Sequence, residues 1–144
     1  MNLFFDTSAL FKLYHSEAGT KELTAFFSSN VIKAIYLSEI TSIEFSSAVW
    51  EKCRKKEINQ SSAELLIDKF KTDSEKYNFI RQSKSCAFLA SELIGKHWEK
   101  GLRTLDSLQL ASALTLKNDI DVFITSDVLL SEITLLENLK VMVF

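Results

Sequence analysis

The chain has no proline, three glycines and two cysteines among its 144 residues. The absence of helix-breaking proline and the scarcity of glycine point towards long helices and short connections. Cys53 and Cys86 lie far apart, with no second cysteine or histidine at ligand spacing beside either. A zinc site therefore has no support, and both read as reduced, buried thiols. Charge of one sign is lacking too: the formal net charge of -2 argues against a general nucleic-acid coat. No apolar stretch approaches membrane-spanning length, and no basic leader with a small-residue cleavage site opens the chain, so a soluble, cytoplasmic protein with no membrane partner is expected.

What is present is a core. Hydrophobic residues make up 47% of the chain and charged ones 25%, enough for one domain over residues 1–144 to fold without staples. Short apolar runs at 2–5, 34–37, 78–81, 122–125 and 141–144 suit buried strands. Between them, apolar residues recur at helical spacing: Leu10, Leu13 and Tyr14; Leu23, Phe26 and Phe27; residues 40–58; 60–77; 83–100, stopped by Gly101; 106–117; and 128–136. Alternation of this kind predicts an α/β fold, a mostly parallel sheet of about five strands covered by helices on both faces.

Ligands of such sheets bind beyond the carboxyl ends of the strands, where strand order reverses. Asp6 and Asp127 each close a strand, in Phe5-Asp6-Thr7-Ser8 and Thr125-Ser126-Asp127. Glu44 shares a helix face with Ile40 and Ala48, among small neighbours Thr41 and Ser47, and is expected to point towards the sheet. Asp106 opens a helix three residues after Arg103. Each acid also has an ordinary explanation: Asp106 with Gln109 as a capping box, Asp127 as a cap, Glu44 as a solvated helix residue. Asp6 is the strongest single case, because a charge after a fully apolar strand is expensive unless something compensates it. Gathered together, four carboxylates without histidine suit Mg2+ or Mn2+, which prefer oxygen ligands and serve phosphodiester cleavage.

The segments Asp6-Thr7-Ser8-Ala9-Leu10, Thr41-Ser42-Ile43-Glu44, Leu102-Arg103-Thr104-Leu105-Asp106-Ser107-Leu108-Gln109-Leu110-Ala111 and Thr125-Ser126-Asp127, in that order, resemble the PIN-domain ribonucleases. The likeness spans nearly the whole chain and is strongest to VapC-type toxins of toxin-antitoxin pairs. It implies a three-layer PIN-like fold and a Mg2+- or Mn2+-dependent endoribonuclease, held inactive by an antitoxin protein and often a homodimer. By position, Asp6, Glu44, Asp106 and Asp127 correspond to the family's acidic cluster; Thr7, Ser8 and Thr125 fall where supporting groups lie, and Arg103 is placed to contact phosphate or anchor an acid.

Other functions were open on the sequence. An aspartyl phosphotransferase of haloacid-dehalogenase type needs a second Asp two residues after Asp6, where Ser8 stands. An RNA-processing nuclease outside a toxin-antitoxin pair and a non-catalytic binding module remain as alternatives. The basic run Lys52, Arg54, Lys55 and Lys56 reads as a solvated helix tail in preference to an RNA contact, and His15 and His97 as surface or core residues.

Overall fold

The computed structural model describes residues 1–144. Five parallel strands, β1 (Asn2–Phe5), β2 (Ala34–Ser38), β3 (Asn78–Ile80), β4 (Val122–Thr125) and β5 (Val141–Val143), form one sheet in the order β3-β2-β1-β4-β5. Seven helices connect them: α1 (Thr7–Phe11), α2 (Thr20–Ser29), α3 (Thr41–Arg54), α4 (Gln60–Asp73), α5 (Lys84–Lys96), α6 (Thr104–Leu114) and α7 (Val128–Leu136). The chain leaves β1 towards β2 on one side, and β4 returns to pair with β1 on the other, Phe4 opposite Tyr36 and Phe123. Strand order thus reverses at β1, and the crevice beyond its carboxyl end is where such sheets take ligands.

Strand periodicity divides the core into two layers. Leu3, Phe5, Val122 and Ile124 face one buried cluster with α1 to α4, while Phe4 and Phe123 face the other with α5 to α7. Adjacent strands in register bring the rings of Phe4 and Phe123 into a stack 5.4 Å apart. In the first layer Phe45 stacks on Phe70 at 4.3 Å with Tyr14 edge-on, and the Tyr14 and Tyr77 hydroxyls pair at 2.7 Å. Most of the eleven phenylalanines are consumed in this packing, although Phe88 remains exposed on α5.

Several elements are shorter than the periodicity predicts. The helix after Asp6 ends at Phe11, before Leu13 and Tyr14; the 40–58 segment is helical only over Thr41–Arg54, ending near Lys56 at positive φ. The 60–77 and 83–100 segments finish as short 3-10 turns at Ser74–Lys76 and Trp98–Lys100, the usual tightening of a final turn. Gly101, at φ 76°, caps the second. Cys86 is buried as expected, whereas Cys53 is half-buried; both are free thiols. His97 is a core residue whose Nε2 lies 2.6 Å from Glu137 Oε1. No helix is long and apolar enough to cross a membrane.

Candidate functional site

All four acids lie at the start of a helix. Asp6 and Asp127 are the N-caps of α1 and α7, accepting from the backbone N–H of Ala9 and Leu130, and Glu44 and Asp106 sit in the first turns of α3 and α6. The starts of α1, α3 and α7 converge because they follow the carboxyl ends of β1, β2 and β4, and α6, entered from α5, brings Asp106 to the same edge; the positive ends of helix dipoles favour carboxylates there. Asp6, Glu44, Asp106 and Asp127 line a single open cleft of about 540 Å³ at the end of β1.

Asp6 is the most enclosed, at 5% exposure. Its Oδ1 accepts from the Ala9 N–H at 3.0 Å and the Ser8 hydroxyl at 2.8 Å; its Oδ2 accepts from the Thr125 hydroxyl at 3.0 Å. All of these donors are neutral. Burial pushes its carboxyl up from 3.8 to about 7, with a small upward contribution from Glu44, against the lowering effect of the three donors. Ser8 also accepts from the Ser126 N–H at 2.9 Å and Thr125 from the Asp127 N–H at 2.9 Å, so the two strand ends are stitched together through Asp6's own partners.

Glu44 is half-buried, contrary to the solvated reading, and its Oε2 accepts from Thr7 Oγ1 at 2.7 Å and Gln109 Nε2 at 2.6 Å. Asp106 is not part of a capping box: Arg103 is the N-cap of α6, without a side-chain capping bond, and Gln109 turns inward to Glu44, Thr7 and Thr41. Burial raises the Asp106 carboxyl, and Arg103 opposes the shift. Arg103 Nε donates to Asp106 Oδ2 and its Nη2 to Asp127 Oδ2, both at 2.6 Å.

Sequence reasoning missed Gln109 and the rim. Gln109 is 2% exposed, and its Oε1 has no partner. A polar side chain inside the apolar run Leu108-Gln109-Leu110-Ala111 was the signal that could have found it. Lys52, the first member of the basic run, lies at the cleft, where it pairs with Glu17 at 2.7 Å and Glu57 at 3.0 Å; Lys55 pairs with Glu51. Lys12 also lines the cleft, its Nζ donating to the carbonyls of Ala18 and Phe144 at 2.5 and 2.6 Å.

The donor set is oxygen throughout, which suits a hard divalent cation and not zinc. Asp6, a buried carboxylate with neutral partners alone, fits a site that a cation completes. As the side chains are placed, however, no three acids stand close enough to enclose an ion, and Asp106 Oδ2 and Asp127 Oδ2 are both held by Arg103.

An all-parallel α/β sheet with an acidic cleft at its switch point defines the class of protein. The chain belongs to the PIN domain family, whose characteristic sequence matches residues 3–136. Solved structures of similar fold include FitAcB, VapC20 and VapBC2. The chain superposes on FitAcB from Neisseria gonorrhoeae with a TM-score of 0.70 at 15% identity, over 97% of this chain and 96% of that one. The match to Mycobacterium tuberculosis VapC20, a Sarcin-Ricin loop cleaving toxin, has a TM-score of 0.69 at 17% identity, covering 90% and 93%. VapBC2 from Rickettsia felis, solved bound to a DNA fragment from their promoter, gives 0.68 at 17%, covering 100% and 99%. At these identities the likeness is one of fold. No curated protein matches the chain in sequence.

Proposed function

We propose that the protein is a Mg2+- or Mn2+-dependent endoribonuclease and the toxin of a toxin-antitoxin pair. The observation that carries this reading is the convergence of Asp6, Glu44, Asp106 and Asp127, distant along the chain, on one cleft at the reversal of strand order. Membership of the PIN domain family supports nuclease chemistry. Likeness to VapC20, a Sarcin-Ricin loop cleaving toxin, supports RNA as substrate, and likeness to VapBC2 and FitAB supports an antitoxin partner.

Asp6 and Asp106 are the principal ligands in this reading, with Glu44 and Asp127 completing the set directly or through water. The chemistry that Mg2+ or Mn2+ held there would supply is activation of water at neutral pH and neutralisation of charge at phosphorus. The chain's own part is positioning. Ser8, Thr125 and the Ala9 N–H fix the Asp6 carboxylate, and Thr7 and Gln109 fix Glu44. Attack of water on phosphorus with departure of the 3'-oxygen, as the family resemblance implies, would leave 5'-phosphate and 3'-hydroxyl ends.

Purified protein, freed of any bound inhibitor, is expected to cleave single-stranded RNA with Mg2+ or Mn2+, and to stop in EDTA or as Asp6→Asn. Undiminished cleavage under either condition rules the mechanism out. A non-catalytic binding module is the second reading, favoured by the contact of Arg103 with Asp106 and Asp127. Calorimetric titration separates the two: a module binds no divalent ion with its acids intact.

A further inference from the structure

We propose that Arg103 is a built-in cation that competes with a divalent ion for Asp106 and Asp127 and, once displaced, turns to a phosphate of the RNA. The inference rests on the metallonuclease reading and adds to it a gate.

The two oxygens of Asp127 are both committed. Oδ1 accepts the Leu130 N–H at 2.9 Å and so caps α7; Oδ2 is taken by Arg103 Nη2 at 2.6 Å. Releasing Oδ1 would uncap a helix, whereas releasing Oδ2 disturbs only a side chain. Asp106 Oδ2 is held by the same guanidinium at 2.6 Å. An ion ligated through Asp106 Oδ2 or Asp127 Oδ2 therefore competes with Arg103 for them.

Arg103 is free to leave. Its side chain is 66% exposed, against 16% for Asp106 and 26% for Asp127, and exposed ion pairs of this kind are weak. Its backbone is extended, at φ -80° and ψ 158°, and the side chain caps nothing. Of five guanidinium N–H donors, the two contacts use one on Nε and one on Nη2, leaving others in a planar fork that matches phosphate. The other cations of the cleft are tied down elsewhere: Lys12 to backbone carbonyls, Lys52 to Glu17 and Glu57, Lys55 to Glu51.

Mn2+ titrated calorimetrically into the wild-type protein, Arg103→Ala and Arg103→Lys, at one ionic strength, tests the gate. Loss of two exposed ion pairs with the acids should tighten Mn2+ binding about five- to tenfold in Arg103→Ala, with Arg103→Lys between, because an ammonium cannot span both carboxylates in the same way. At saturating Mn2+, the KM for single-stranded RNA should rise several-fold in Arg103→Ala. Mn2+ binding that is unchanged or weaker in Arg103→Ala overturns the gate while leaving the nuclease reading intact. Tighter Mn2+ binding with an unaltered KM overturns the turn to phosphate. No binding by any of the three proteins overturns the metallonuclease reading and the gate with it.

Discussion

At the scale of single residues, the decisive group is Asp6, whose carboxyl is pushed up to about 7 by burial. The folded protein therefore holds this proton more tightly than the unfolded chain does. The stability that follows is complete below about pH 4 and is lost as pH rises through 7. Asp6→Asn removes the buried charge and keeps an acceptor for the Ala9 N–H. Without metal, it should melt close to wild type at pH 4.5 but higher at pH 8, by roughly 2 kcal/mol of stability, about half or less of the full linkage value. Thermal melts across pH in EDTA check this; parallel curves would show that Asp6 carries no such strain. The same substitution should abolish RNA cleavage, a pairing of gained stability with lost activity that is the mark of a functional carboxylate.

Gln109 is the other residue of consequence. Gln109→Leu removes the donor to Glu44 and leaves Thr7 as its remaining side-chain partner. Cleavage is expected to fall at least tenfold, and urea unfolding to show a loss of about 1–2 kcal/mol. Wild-type turnover in this variant would mean that Glu44 needs no such positioning.

At the scale of elements, a side chain caps the starts of α1, α4, α5 and α7, whereas those of α2, α3 and α6 have no side-chain cap. Asn59 and Ser83 cap α4 and α5 through Ser62 and Cys86, away from the acids. Ser83→Ala should lower stability by about 1 kcal/mol with no change in RNA cleavage. Asp127 caps α7 and also faces the cleft, so its two roles are separable: Asp127→Asn keeps the cap and loses the charge, while Asp127→Ala loses both. Denaturant melts should place Asn near wild type and Ala about 1 kcal/mol below, with cleavage impaired in both. Equal stability of the two would remove the capping role. Gly19 marks a junction between elements. It sits at φ 88°, and a Cβ there would strike the backbone of Phe144, so Gly19→Ala should detach the end of the sheet and lower the melting temperature.

At the scale of the whole molecule, stability lies in the two apolar layers and chemistry at their common edge. Phe45 and Glu44 are neighbours on α3, one fully buried in the first layer and the other turned to the cleft. Phe45→Ala should cost about 3–5 kcal/mol and bring loss of soluble protein together with loss of activity, unlike Asp6→Asn. The sum of charge, -2, says little about the cleft, where Lys12, Lys52, Lys55 and Arg103 stand among the four acids and Glu17, Glu51 and Glu57.

The sequence alone determined the order of strands and helices, because burial on both faces leaves short apolar runs and amphipathic helices leave a 3.6-residue period. It also marked out Asp6, because a carboxylate after an apolar strand contradicts its surroundings, while the family resemblance marked out Glu44, Asp106 and Asp127. Helix ends were less legible: they depend on which last turn finds a partner, as at Phe11 and Arg54. Only the tertiary structure decided that Asp106 answers to Arg103 and not to Gln109, that Gln109 reaches Glu44, and that Lys52 belongs to Glu17. The last two pairings join residues on different elements, and the first is a local choice between two neighbours of Asp106 that was settled when Gln109 found Glu44 across the cleft; such choices are fixed by distances that exist only after the fold has brought the helix starts together.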